Sequence, residues 1–219
     1  MTRLPDVLAD PRFRLWAGAA SLLATASAAR RDRVGHWEAG AFRAVNGLPD
    51  SWQQPAWVIM QLGALGAVPA AAATAWLAGD DELAGRLLAG GTSTWLLAKL
   101  VKQIVRRPRP VALLPGTRHR GREAAGLGYL SGHAAVAVCL GAAAYPRLGP
   151  RGRVLALATV PLVGMTRLYV GAHLPLDIAG GIALGLAVEA TSGLLKQAAE
   201  IRAGIGSLPD GGRRACPHS

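Results

Sequence analysis

The sequence predicts an all-α fold: a polytopic membrane helical bundle with six transmembrane helices. Two observations carry that expectation. Apolar residues make up 51% of the 219-residue chain and charged residues only 17%, against roughly 25% charged in soluble domains. The apolar residues also gather into blocks long enough to span a bilayer, which takes a helix of about 17–25 residues. The net charge of +11 is nearly all arginine, since the lysines are Lys99, Lys102 and Lys196 alone. A basic chain favours nucleic acid, anionic lipid or a phosphate-bearing ligand. Nucleic acid fits worst, because the arginines flank apolar blocks and aromatic residues make up only 5%. That leaves anionic lipid or a phosphate-bearing ligand.

The first block, 13–29, "FRLWAGAASLLATASAA", is short for a span, with Arg12 and Arg14 able to snorkel to the interface. Its basic flank and the small residues Ala26 and Ala28 also resemble a signal peptide; an uncleaved helix is the reading adopted. Residues 30–54 are amphipathic, and Trp37, Phe42 and Trp52 suit a segment lying in the interface. Residues 1–54 thus form an N-terminal helix and interfacial segment, and residues 55–195 the membrane core. The core holds a second block at 55–78, closed by the turn "GDDE", and a third at 84–105. The fourth runs over 132–146 and ends at "PRLGPRGR"; the fifth and sixth cover 153–170 and 175–195. Abundant Gly and Ala, as in "AGGIALG", favour close helix approach in lipid. The tail, 196–219, is polar and expected to be disordered. Cys139 in an apolar block and Cys216 in the tail neither pair nor make a metal spacing.

Alternating spans bring the end of the third block, the start of the fourth, the end of the fifth and the start of the sixth to one membrane face. Those places hold the unusual chemistry. In "KQIVRRPRP", 102–110, Lys102 ends a span, and prolines hold Arg109 in a restricted backbone. A rigid guanidinium beside a lysine suits a phosphate, although basic flanks of spans are common. In "GYLSGHAAVAV", 128–138, Ser131 is placed as a helix N-cap and Gly132 allows close backbone approach, with His133 on the first turn. Such a helix start is a ready anion site. In "TRLYVGAHLPLD", 166–177, Arg167 closes a span, Gly171 permits a turn and Pro175 opens the next helix. His173 and Asp177 are four apart and can share a face. A carboxylate on one imidazole nitrogen leaves the other as nucleophile or base; Asp177 could instead simply favour the helix N-terminus. Two histidines, one carboxylate and several cations, without metal-ligand spacing, form an inventory for metal-free phosphoryl transfer. Positive charge is too evenly divided to orient the chain; the short "PRLGPRGR" turn tips its own face to the cytoplasm and the motif face outside.

These motifs resemble the type 2 phosphatidic acid phosphatase family, the integral-membrane branch of the lipid phosphatase and vanadium haloperoxidase superfamily. Lys102, six residues, then Arg109-Pro110 match its first signature; Leu130-Ser131-Gly132-His133 the second; Thr166-Arg167, His173 and Asp177 the third. Leu130 stands where the family has proline and Thr166 where it has serine. The resemblance covers residues 55–195. It implies that His173 attacks phosphorus to give a phosphohistidine, oriented by Asp177, and that His133 protonates the leaving oxygen. Lys102, Arg109 and Arg167, with Ser131 and the Gly132 N–H, would hold the phosphate, and no cofactor is implied. Arg106, Arg107, Arg118, Arg120 and Arg122 lie outside the signature and read as solvated surface charge. The implied activity is hydrolysis of a lipid phosphate or diphosphate, of polyprenyl-carrier or glycerophospholipid type. The implied place is the extracytoplasmic face of a bacterial inner membrane. A vanadate-dependent haloperoxidase and a non-catalytic lipid-phosphate binder or transporter are the alternatives.

Overall fold

The computed structural model describes residues 10–31, 33–121 and 126–206. Regular structure among the described residues is helical throughout. Helix α1 (Pro11–Ala29) opens on Asp10, whose carboxylate accepts the Arg12 N–H at 2.8 Å. Helices α2 (His36–Asn46), α3 (Gln53–Gln61), α4 (Ala67–Leu77) and α5 (Asp81–Val105) follow. A short turn, α6 (Pro110–Leu113), precedes α7 (Gly132–Ala144), α8 (Pro150–Tyr169) and α9 (Pro175–Gly206).

Helix α7 is the centre of the bundle. Its sequence, "GHAAVAVCLGAAA", is apolar on every side, and a helix of that kind is stable only when surrounded. Ala134 through Leu140 are all buried, enclosed by α5, α8 and α9. The small residues of "AGGIALG" make the α7–α9 contact possible: a Cβ on Gly181 would lie 2.4 Å from the Ser131 carbonyl, and one on Gly185 2.4 Å from that of Ala135. The two backbones therefore touch directly. On its other side α9 carries α1, where a Cβ on Gly18 would meet the Ala183 carbonyl at 2.9 Å. The first block is thus a full member of the bundle.

Several expectations change. The second block, 55–78, is broken into α3 and α4, because a Cβ at Gly63 would sit 2.3 Å from the His133 carbonyl; the chain folds across the start of α7 there. The amphipathic segment is not merely interfacial, since α2 buries Glu38, Ala39, Phe42 and Asn46. Helix α9 continues to Gly206, where the sequence reads as a disordered tail from Lys196. Lys196 pairs with Glu82 at the start of α5 and with Glu200 one turn on. Residues 207–219, with Cys216, lie outside the described residues, as does Arg122. By length and composition, one stretch among the described helices, Pro175–Ala203, is long and apolar enough to cross a membrane; α4 is apolar but shorter. Helix α7, at 13 residues, is only about 20 Å long. Helix lengths by themselves do not establish six crossings.

The bundle has two chemically distinct ends. At one, Arg147 pairs with Asp80 and Glu82, and Arg14 and Arg86 pair with Glu189. The motif residues gather at the other. The α7–α9 contact yields a stability prediction. Gly185→Ala forces a methyl against a backbone carbonyl and should cost about 1–3 kcal/mol, seen as a lowered thermal midpoint in detergent. Gly66→Ala, where a Cβ meets nothing within 4 Å, should leave the midpoint nearly unchanged.

Candidate active site

Four chain segments meet at the motif end. Helix α5 stops at Arg106, a non-glycine residue in the left-handed region (φ 57°), whose N–H still reaches the Lys102 carbonyl at 2.9 Å. That reversal leaves the Arg106 side chain outside and turns Arg107 inward. Pro108 and Pro110 then keep the chain extended around Arg109. The returning loop is packed on this one: the Gly128 N–H donates to the Arg107 carbonyl at 2.7 Å, and a Cβ on Gly128 would meet the Pro108 carbonyl at 2.6 Å.

Ser131 caps α7 as expected, its Oγ accepting the Ala134 N–H at 3.3 Å, and its own N–H donates to the Asp177 carbonyl at 2.8 Å. Leu130, in the place of the family's proline, is fully buried beside Tyr129, Ala135 and Leu184. Gly132 differs from expectation: the nearest neighbour of an added Cβ would be the Ala98 methyl at 3.8 Å, an ordinary contact. The close approaches fall at Gly63 and Gly181 instead, on either side of it. Thr166 turns its hydroxyl to its own helix, donating to the Val163 carbonyl at 2.8 Å.

The turn after α8 uses Gly171 at φ 74°. The Arg167 carbonyl accepts the N–H groups of Ala172 and His173, at 3.1 and 3.3 Å. His173 lies just before α9, its Nδ1 facing Oδ2 of Asp177 at 3.6 Å. The same Oδ2 accepts the Leu174 N–H at 2.8 Å. Asp177 therefore does both things its position allows: it stabilises the helix start and it faces the imidazole. Burial drives the His173 pKa well below the ordinary 6.5, and the charges of Lys102, Arg167 and Arg109 push the same way. His173 is thus neutral at neutral pH.

Around the imidazole the sequence-predicted cations converge. Lys102 Nζ donates to the carbonyls of Leu127 and Gly128, at 3.2 and 3.1 Å. Arg109 donates to the Ala172 carbonyl at 3.0 Å. Arg167 lies against the sulfur of Met60, and its buried Nε has no hydrogen-bond partner. His133, on the first turn of α7, is within electrostatic range of Arg167, His173, Lys102 and Arg109. The Gly128 carbonyl also approaches the His173 ring. Beside these groups lies a cavity of about 460 Å³ lined by Lys99, Lys102, Gln103 and Arg109 together with Leu100 and Leu127. All eight predicted site residues are gathered at this end of the bundle.

Two residues belong with them that sequence reasoning passed over. Arg107, read as surface charge, has a side chain only 2% exposed, and it donates to Glu38 and to Asp177. Glu38, on α2, is 1% exposed. Burial opposes the charge on Arg107, and the two carboxylates more than offset it, holding its pKa above the ordinary value. Arg120 is also buried: it donates to Asp50 and to the carbonyls of Asn46, Leu48 and Tyr169, and so pins the loop that follows α6. A glutamate inside an otherwise apolar face of α2 was the one available signal for Glu38. Nothing in the run "RRPR" distinguishes Arg107 from Arg106.

The PAP2 superfamily model matches residues 83–198. Lipid A 1-phosphatases of Rhizobium etli and Rhizobium johnstonii are each 37% identical to the chain over 100 residues, 41% of its length. The match spans 40% and 38% of those relatives' own lengths. Two solved structures share the fold. Aquifex aeolicus LpxE aligns with a TM-score of 0.66 at 20% identity, over 74% of this chain and 96% of its own. A transmembrane PAP2-type phosphatidylglycerolphosphate phosphatase from Bacillus subtilis aligns at 0.68 and 23%, over 85% and 97%.

The clustered cations predict anion binding to the folded protein. Orthophosphate at a hundred times its dissociation constant should stabilise the detergent-solubilised chain by about 2.7 kcal/mol, read as a rise in thermal midpoint. Arg109→Ala and Arg167→Ala should each remove most of that rise.

Proposed function

Because the chain belongs to the PAP2 superfamily, we propose that it is an integral-membrane phosphatase that hydrolyses a lipid phosphate or diphosphate through a phosphohistidine. The observation that carries this reading is the convergence of Lys102, Arg109 and Arg167 on the buried His173–Asp177 pair. Among the described residues, Arg107 engages both Glu38 and Asp177. Lys102, Arg109 and Arg167 face backbone carbonyls and a thioether.

With its one proton held on Nδ1 facing Asp177, His173 attacks phosphorus through the lone pair of its other ring nitrogen. The bond from phosphorus to the lipid oxygen breaks, and His133 gives that oxygen a proton. Positive charge developing on the imidazole is met by Asp177 behind Nδ1. His133 then takes a proton from the water that displaces His173 and releases phosphate. Lys102, Arg109 and Arg167, with the free N–H groups at the α7 N-terminus, stabilise the equatorial oxygens throughout.

In this reading α1, the α3–α4 pair, α5, α7, α8 and α9 cross the bilayer of a bacterial inner membrane, with the site at the extracytoplasmic interface. Exposed apolar side chains on every outer helix support it, among them Leu23, Val58, Leu77, Leu96, Leu155 and Leu195. Exposed tryptophans stand at both ends: Trp37, Trp52 and Trp57 near the site, Trp16 and Trp76 at the far end. Such pairs of aromatic belts mark the two membrane interfaces. The 460 Å³ cavity gives an anionic headgroup access from the lipid-facing side of α5, while the tail stays in the bilayer. The names of the relatives make glycerophospholipid and lipid A phosphates candidate substrates, beside polyprenyl diphosphates.

Phosphate release measured across a panel of these lipids should find at least one substrate. His173→Ala should lower that rate on the order of 10³-fold or more with the thermal midpoint retained, and EDTA should leave it unchanged. Near-normal turnover by His173→Ala would overturn the assignment of the nucleophile. Orientation is tested separately, in a Cys216→Ser background where Cys139 is buried. Arg118→Cys should react with a membrane-impermeant thiol reagent in intact cells, and Arg147→Cys only after permeabilisation.

A further inference from the structure

Behind the His173–Asp177 pair runs a chain of alternating charge that the phosphatase signature does not include. Arg107 Nη1 donates to Asp177 Oδ1 and to Glu38 Oε1, both at 2.9 Å, and Nη2 donates to Glu38 Oε2 at 2.7 Å. The relative exposures of the three side chains are 1%, 2% and 0%. Glu38 Oε1 also accepts the Leu176 N–H at 3.1 Å, so it grips the first turn of α9 directly. We infer that Glu38 and Arg107 are positioning residues for His173: together they fix the Asp177 carboxylate through Oδ1, leave Oδ2 aimed at the imidazole, and keep net negative charge behind it.

Each member has a distinct part. Asp177 Oδ2 already serves the Leu174 N–H, so the carboxylate could rotate about its own axis if Oδ1 were free. Arg107 closes that freedom. Arg107 by itself would also cancel the charge of Asp177, and the imidazole would gain nothing from its carboxylate as it becomes cationic. Glu38 restores one negative charge and, through its two-point contact with the guanidinium, holds the fork in plane. The remaining charged and titratable groups facing His173 are Lys102 on α5, Arg109 beyond it, His133 on α7 and Arg167 on α8. Apart from His133 these are cations, so among the described residues the Glu38–Arg107–Asp177 chain supplies the negative potential on this side of the ring. The pairing also makes α2 part of the site, although it lies outside the family match.

This inference rests on His173 being the nucleophile, and the test separates the two. Steady-state kinetics and pH profiles would be measured for Glu38→Gln, Arg107→Lys and the paired Glu38→Gln/Arg107→Gln, with His173→Ala as control. Glu38→Gln should lower kcat about 10- to 100-fold with KM nearly unchanged, and should move the acid limb of kcat/KM to lower pH. The sign follows because losing a negative charge makes the imidazole harder to protonate. Arg107→Lys, which keeps the charge and loses the fork, should not rescue kcat. The paired variant removes one charge of each sign, so the net charge behind the imidazole and the acid limb should stay as in the wild type, while kcat should remain low because Asp177 Oδ1 has lost the guanidinium. Wild-type kcat in the folded paired variant, or an unmoved acid limb in Glu38→Gln, with His173→Ala inactive, would overturn the inference and leave the nucleophile standing. Activity surviving in His173→Ala would overturn both.

Discussion

An arginine with almost no exposure, held between two carboxylates with almost none, is the constraint around which the rest is arranged. Three charges in a low-dielectric interior are tolerable only when each is engaged by another. Meeting that condition requires α2, the reversal after α5 and the first turn of α9 to come together, because Glu38, Arg107 and Asp177 belong to those three places. The left-handed residue Arg106 serves the same end by turning the chain so that its neighbour faces in. Once Asp177 is placed, Ser131 is placed as well, since its N–H donates to the Asp177 carbonyl.

The second determinant is the absence of side chains. Helices α7 and α9 approach until the Ser131 and Ala135 carbonyls lie where the Cβ atoms of Gly181 and Gly185 would be. Gly63 does the same against the His133 carbonyl, which breaks a long apolar block into α3 and α4. In a lipid environment close van der Waals contact, not exclusion of water, drives helix association. Small residues at these points therefore bring the starts of α7 and α9 within reach of one ligand. Compactness and chemistry have one cause here.

The electrostatic character of the site follows. Negative charge is concentrated behind His173 and positive charge in front of it, on Lys102, Arg109 and Arg167. Among the described contacts, the groups in front meet carbonyl oxygens and a sulfur atom. An imidazole with cations on one side and a buried carboxylate on the other is the arrangement on which the proposed attack on a phosphoryl group rests.

Much of this was legible in the sequence. The helical class, the gathering of three motifs at one end and the cap at Ser131 follow from hydropathy, alternation and local spacing, all of which are short-range properties. The turn at Gly171 and the proximity of His173 to Asp177 are equally local. Arg107 and Glu38 were not legible, because nothing near either residue says that the two lie 2.7 Å apart across 69 positions of chain. The break at Gly63 and the helical continuation past Lys196 were hidden for the same reason, since each depends on a distant partner, the His133 carbonyl and Glu82. The sequence by itself determined the helices, the cap at Ser131 and the spacings of the three motifs, since these are encoded locally. Only the tertiary structure decided which charges are buried and what compensates them, because burial and ion pairing are properties of the packed chain.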